Sequence, residues 1–351
     1  MKNKVFAGIL IFMLMCSINV VWGENNTNHQ SIVHEQNGSV EHLYKEMRYM
    51  MYTYIIISAY GPNKKITDHA INLAMDRMEE IGNEMNPENP KSPVYKFNHY
   101  GTPITNPDIL HVVKEAIKIS KESGGAFDIT IHPLVALWGF DTEHPHVPSE
   151  KNIRKALKYV GWWHLRIHNG ALIKDKKSIE IDLGALTKGY AVGQAVKVLK
   201  ANGIKSALIN GGGDIYALGK DNKKMWVVGI KSPRGKGLLG YMKIEDLYVA
   251  SSGDYEHYFF YNGKRYSHIF NPKTGWPAHG VIGTTAIGPG AALTDAWGTT
   301  LFVMGPQNGL KALKKEPEIQ AIIITESGKL WTSPGLKKDL ETRGKKSGTT
   351  N

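Results

Sequence analysis

Ile71, Ala74, Met75, Met78, Ile81 and Met85 fall three or four residues apart, a spacing that gives a helix one apolar face for the core. Thr67 is placed to cap it. Upstream, residues 48–60 hold a β-branched and aromatic run (Tyr52, Thr53, Tyr54, Ile55, Ile56, Ile57) that predicts a single buried strand. A second helix is predicted from Asn106 and Pro107 through Ile109, Val112, Val113, Ala116 and Ile117 to a glycine stop at Gly124 and Gly125. Ser149 opens a short third one. Between 179 and 202 the pattern turns from strand (Ile179, Ile181) through Gly184 to a helix carrying Ala191, Val192, Ala195, Val196 and Leu199. Gly125, Ala126, Phe127 and Asp128 read as a helix stop followed by a new strand. Further strands are predicted at 206–209, 226–230, 241–244, 258–261, 265–270 and 320–325, and a last helix at 291–304. No solenoid period recurs, so the fold class is α+β: a single mixed domain over 42–340, with a twisted sheet packed by helices.

The ends of the chain differ in kind. Lys2 and Lys4 precede an apolar run at 5–18, and Gly23 supplies the small residue of a cleavage site, so 1–23 reads as a secretory signal peptide. Residues 24–41 read as a polar linker and 341–351 as a disordered basic tail. The lone cysteine, Cys16, lies in the apolar run behind Met15, which is not the small residue that lipoprotein acylation needs. Cleavage after Gly23 leaves no cysteine, and with it no disulfide, thiolate metal site or cysteine nucleophile. Across all 351 residues, 43 Lys and Arg outweigh 32 Asp and Glu, giving a net charge of +11 that suits phosphorylated or anionic partners. Export and the absence of a recognisable nucleic-acid module argue against a nucleic-acid role.

Several residues are candidates for chemistry. Asp295 and Thr299 lie one turn apart on one helix face, and two oxygen donors so placed suit a hard cation such as Mg²⁺. Spacing alone favours a plainer reading, in which Asp295 caps the helix and Thr299 bonds back to a carbonyl. Asp182, Gly184 and Lys188 form a strand-to-helix corner that suits phosphate, or else a tight turn with a solvated lysine. Asn210, Gly211, Gly212, Gly213 and Asp214 fit either a phosphate cradle or a plain turn. His268 reads as a base, a phosphate contact or a satisfied core histidine.

Six segments in order carry a resemblance to a known family. They are Gly125 to Thr130 with Leu137, Trp138, Gly139 and Phe140; Asp182 to Ala185 with Lys188 to Ala191; Asn210 with Gly212 to Asp214; Ser252 to Glu256; Tyr266 to Ile269 with Pro272, Thr274 and Gly275; and Asp295, Ala296 and Thr299. In these the chain resembles the FAD:protein FMN transferases, the ApbE-like flavin transferases, over about 46–340. The resemblance implies that Asp295, Thr299 and the backbone oxygen of Ala185 hold Mg²⁺. It implies FAD contacts at Met51, Ala126, Phe127, Asp128, Asp182, Lys188 and Ile269. Where the family commonly has Met-Gly-Thr, this chain reads Met51, Tyr52, Thr53.

The activity so implied is Mg²⁺-dependent transfer of FMN from FAD to a threonine or serine hydroxyl of an acceptor protein, with AMP leaving and FMN held as a phosphoester. His268 or Asp254 is the expected base. The expected partners are FAD and exported redox proteins flavinylated on threonine, in the periplasm. Inner-membrane association would come through the acceptor or an uncleaved signal. Two rival readings are a periplasmic Mg²⁺-dependent FAD pyrophosphatase and a non-catalytic FAD-binding protein.

Overall fold

The structure, a computed structural model, describes residues 33–342 except 37, 38, 141 and 339. The chain begins with strands β1 (Val33–Gln36), β2 (Ser39–Met50) and β3 (Thr53–Gly61). Five helices follow: α1 (Lys64–Met85), α2 (Pro93–Tyr100), α3 (Pro107–Glu122), α4 (His132–Trp138) and α5 (Glu150–Leu157). After the hairpin β4 (Leu165–His168) and β5 (Ala171–Lys174) come α6 (Gly184–Ala201), β6 (Ala207–Gly211), β7 (Asp214–Leu218), β8 (Trp226–Lys231), β9 (Leu238–Ile244) and β10 (Leu247–Gly253). The rest comprises β11 (Tyr258–Tyr261), β12 (Lys264–Ser267), β13 (Val281–Gly288), α7 (Ala291–Ala312), β14 (Gln320–Thr325), β15 (Leu330–Thr332) and β16 (Leu340–Thr342).

Nine strands form one antiparallel sheet in the order β1-β2-β3-β6-β7-β10-β13-β14-β15. On one face, Ile55, Ile57, Ile209 and Ala250 pack with residues of α1 and α6, while Ala286, Ala321 and Ile323 pack beneath Trp297, Leu301 and Phe302 of α7. On the other face, Ile215, Val249, Ile287 and Ile322 meet Val228, Ile230 and Met242 of the three-stranded sheet β16-β9-β8. The α+β expectation is therefore met. Because the sheet is covered on both sides, β7 and β13 are buried at every position and carry no polar alternation, which is why periodicity did not reveal them.

Several local expectations are corrected. The expected strand at 48–60 is a hairpin: β2 and β3 pair from Met50↔Thr53, and Met51 and Tyr52 form its two-residue turn at φ 50° and 60°. Such a turn normally takes Asn-Gly. Here Met51 fills the space left by Gly82 of α1, where an added Cβ would lie 2.6 Å from Met51 Cγ. Asn63, not Thr67, caps α1, accepting from the Ile66 amide. Residues 129–131 form a 3₁₀ turn instead of a strand, because Asp128 caps them through its side chain. Ile179 and Ile181 lie outside any strand; the Asn98 side chain instead bonds both the amide and the carbonyl of Ile181, at 2.8 and 2.9 Å. The stretch read as linker already contains β1 and the start of β2, and Glu341 and Thr342 of the expected tail pair with β9. The predicted signal at 1–23 lies outside the described residues. Helix α7 runs past its expected end at 304, breaking at Gly305 (φ 72°) before Pro306 and continuing to Ala312.

Helices α6 and α7 meet at glycines. A Cβ on Gly189 would sit 2.7 Å from Asp295 Cβ and 2.9 Å from the Ala291 carbonyl, and one on Gly193 would sit 2.9 Å from Ala291 Cβ. Alanine at 189 would gain roughly 1 kcal/mol of helix propensity but lose about 2 kcal/mol to overpacking. Gly189→Ala should therefore melt below the parent, and a higher Tm would show that the two helices separate without cost.

Candidate active site

The close approach of α6 and α7 delivers a charge cluster. Lys188 Nζ lies 3.0 Å from Asp214 Oδ2, and Asp295 Oδ2 accepts the Gly189 amide at 3.0 Å. In a regular helix that amide serves the carbonyl four residues back, which is Ala185. Sharing it with Asp295 brings the carboxylate of α7 to the turn of α6 that carries the Ala185 carbonyl. Asp295 does not cap α7, since Gly290 holds that position. Thr299, one turn on, lies 3.5 Å from the Ser252 hydroxyl of β10.

Electrostatics bind the cluster together. The Asp214 carboxylate, with Asp295 and Glu256 behind it, raises the Lys188 ammonium well above its ordinary value against the opposing effect of burial. Burial, then Asp214, pushes Asp295 far up, while Lys188 and the Gly189 amide act against it. Burial raises Glu256, which faces Lys188 and Asp214, and burial beside Asp214 and Asp295 raises Tyr248. Three carboxylates, the buried Asp214 and Asp295 and the exposed Glu256, stand against Lys188 and, beside Glu256, Lys231, so acidic groups outnumber basic ones by one. A pyrophosphate would be repelled there unless a cation came with it. Among the described residues no three His, Cys, Asp or Glu side chains converge as a cage. The donor set of carboxylate, hydroxyl and carbonyl consists of hard oxygens, which fits Mg²⁺ sharing its shell with phosphate and water.

The remaining sequence candidates divide. Both Asp128 oxygens are engaged: Oδ1 accepts from the Thr130 amide and hydroxyl at 2.8 and 2.7 Å, and Oδ2 from the Trp162 amide at 3.0 Å. Its carboxylate thus shapes the loop of Ala126 and Phe127. Asp182 is tied to that loop by its amide, 2.7 Å from the Ile129 carbonyl, and its Oδ1 accepts the Gly184 amide at the start of α6. Ala126 borders an open cleft of about 510 Å³ walled by Val303 and Met304 of α7 and rimmed by Lys273, Lys311 and Lys315. Val303 is one turn beyond Thr299, so cleft and metal candidates lie along one helix. Ile269 is buried beside α7. The Asn210 to Asp214 segment is a turn, not a cradle, because Asn210 Oδ1 takes the amides of Gly212 and Gly213.

The two candidate bases separate. Asp254 is held by both guanidinium nitrogens of Arg234, at 2.7 and 2.5 Å, so it is not a free base. His268 is half-buried, with Nδ1 3.1 Å from the His257 carbonyl. A carbonyl only accepts, so the ring proton belongs on Nδ1 and Nε2 keeps its lone pair. Burial, reinforced by His257 and Lys188, lowers the His268 pKa to about 4.

Comparison with known proteins gives the family. A model of the ApbE family matches residues 51–323. The chain belongs to the ApbE family. It is 32% identical over 242 residues to an Escherichia coli FAD:protein FMN transferase, covering 65% of this chain and 69% of that one. A Vibrio cholerae FAD:protein FMN transferase is 31% identical over 263 residues, covering 72% and 78%. Among solved structures, the ApbE protein of Thermotoga maritima superposes with a TM-score of 0.79 at 29% identity, covering 85% of this chain and 99% of that one. The flavin transferase ApbE from Vibrio cholerae superposes at 0.76 and 27%, covering 86% and 100%.

In this ApbE-family chain, three members of the charge cluster escaped selection from sequence. Asp214 reads only as the end of a glycine run, Glu256 only as a neighbour of Asp254, and Tyr248 belongs to no motif. The signal for Glu256 lies in the segment from Ser252 to Glu256. After β10 the chain enters a turn, which sends Asp254 to Arg234 and Glu256 to Lys188.

The His268 shift has a stability consequence. Between its folded value of about 4 and its ordinary value of 6.5, the unfolded chain takes up a proton that the folded one refuses, so folding weakens as pH falls through that window. From about pH 7 to about pH 5 the parent should lose more Tm than His268→Asn. Equal losses in the two melts would deny His268 its depressed pKa.

Proposed function

We propose that this protein transfers FMN from FAD to a hydroxyl on an acceptor protein and releases AMP. The observation that carries the reading is the cluster of Lys188 with the buried Asp214 and Asp295 and the exposed Glu256 at its edge, whose excess of acidic groups accepts a pyrophosphate only together with a cation. Asp295, Thr299 and the Ala185 carbonyl would hold Mg²⁺. When bound, that ion neutralises phosphate charge and polarises the phosphorus.

Lys188, fixed against Asp214, offsets the negative charge that grows on the phosphate oxygens. The loop of Ala126 and Phe127, anchored by Asp128 and Asp182, lines the cleft beside α7 and would receive one nucleoside end of FAD. Met51 is directed against α1 at Gly82, and α1 in turn packs against α6. The acceptor hydroxyl attacks the phosphorus of the FMN half, the P–O bond to the AMP half breaks, and AMP leaves with the bridging oxygen. His268 Nε2 takes the hydroxyl proton. Catalysis then rests on positioning and charge, as phosphoryl transfer requires.

The apolar run at 5–18 behind Lys2 and Lys4 supports export, and exported or membrane-bound redox proteins are the matching acceptors. Among the described residues no helix is long and apolar enough to cross a membrane.

Incubation of the mature protein with FAD, Mg²⁺ and a threonine-bearing acceptor domain should give covalent flavin fluorescence on the acceptor and release AMP. Chelation by EDTA or Asp295→Ala should abolish both. AMP and free FMN without labelling would make the protein a pyrophosphatase, and intact bound FAD would make it a carrier. His268→Ala should slow labelling by roughly 100-fold or more while FAD binding persists. An unchanged single-turnover rate would remove His268 from the proton transfer.

A further inference from the structure

The β11–β12 hairpin borders a second cleft, of about 380 Å³, which shares no lining residue with the first. Arg234, Lys264 and Arg265 line it against two carboxylates, Asp254 and Glu326, so its wall is net positive. Arg234 is committed to Asp254. The Arg265 guanidinium stacks 3.8 Å from the centre of the Tyr258 ring and gives one hydrogen bond, to the Asp254 carbonyl at 3.3 Å. The Lys264 ammonium rests 5.4 Å over the Tyr266 ring. These two cations are held in place yet leave donors over, and a guanidinium or ammonium so held suits an anionic oxygen.

Ser267 makes the cleft more than a basic surface. It is 3% exposed and lines the cleft, and its hydroxyl has no hydrogen-bond partner among the described residues. A buried polar group of this kind normally has a partner, so its absence calls for a ligand. Arg265 and Ser267, two apart on β12, share one face of the strand, and the guanidinium and hydroxyl together match one carboxylate, with Lys264 on the same cleft wall.

We propose that this cleft is the acceptor-recognition subsite: it takes an acidic side chain of the acceptor protein, near the hydroxyl that is flavinylated. The assignment rests on the transfer reading above. Ser267 ends β12 and His268 follows it in the bend beyond the strand, so their Cα atoms are about 3.8 Å apart. An extended acceptor segment advances roughly 3.3 Å per residue, so a hydroxyl at His268 and a carboxylate at Ser267 would come from residues a few positions apart. Phe260 and Tyr261, 60% and 51% exposed near the hairpin tip, offer the aromatic surface on which a protein partner packs.

The test uses short peptides with a central threonine and an aspartate one to four residues to either side, each with an asparagine twin. They are incubated with the protein, FAD and Mg²⁺ while peptide fluorescence and AMP are followed. At one spacing the aspartate peptide should be labelled with about tenfold higher kcat/KM than its twin, the difference lying in KM. Ser267→Ala and Lys264→Gln should erase that preference. The first removes a hydroxyl without a partner and the second an exposed side chain, so both should fold. Equal labelling of twins by the parent, or a preference that survives both substitutions, overturns the subsite. So does a raised KM for FAD in either variant, which would give the cleft to FAD. AMP release with no peptide labelled also overturns the subsite but leaves FAD cleavage standing, whereas neither AMP nor label overturns the transfer reading itself.

Discussion

Gly189 carries no side chain, and the space a Cβ would need is taken by Asp295. That one steric permission lets the second turn of α6 lie against the second turn of α7, and the rest of the charge cluster depends on it. The amide thus exposed binds the Asp295 carboxylate, Lys188 on the next position back reaches Asp214, and Thr299 comes to rest against Ser252. A larger residue would part the helices and scatter the donors. The fold supplies rigid support by covering both faces of the sheet, so that α7 is wedged by Trp297, Leu301 and Phe302 and cannot drift.

Around this contact the structure ties distant segments together with single hydrogen bonds. The Ile129 carbonyl joins the Ala126–Asp128 loop to Asp182, Asn98 pins Ile181, and Trp138 donates to the Gly275 carbonyl at 3.0 Å. Each joins two stretches far apart in the chain. Asp128 and Asp182 therefore act mainly on the backbone: their oxygens organise the loop and the start of α6. The same economy separates Asp254 from Glu256. One turn after β10 directs the first toward Arg234 and the second cleft, and the second toward Lys188.

Much was legible in the sequence where local physics decides. Helices α1, α3 and α6 follow from apolar spacing and end signals, because an amphipathic face and a cap act within one turn. The ordered motifs that resemble flavin transferases contain nearly every residue of the site. Elsewhere the neighbours overrode the local signal. The run at 48–60 is continuous in β-propensity, yet it folds back at Met51 and Tyr52 because Gly82 of α1 leaves room for Met51. Strands β7 and β13 are buried on both sides and show no period to read.

By itself the sequence determined the α+β class, the helices with one apolar face, and the family that its motifs resemble. Those follow from spacing and residue type, which are properties of the chain. Only the tertiary structure decided that Asp214 answers Lys188, that Glu256 rather than Asp254 faces the cluster, that Arg234 occupies Asp254, and that Ser267 is buried with no partner for its hydroxyl among the described residues. Coulomb energy and desolvation depend on distance through space, and residues 188, 214, 256 and 295 become neighbours only once α6, α7 and the sheet have packed.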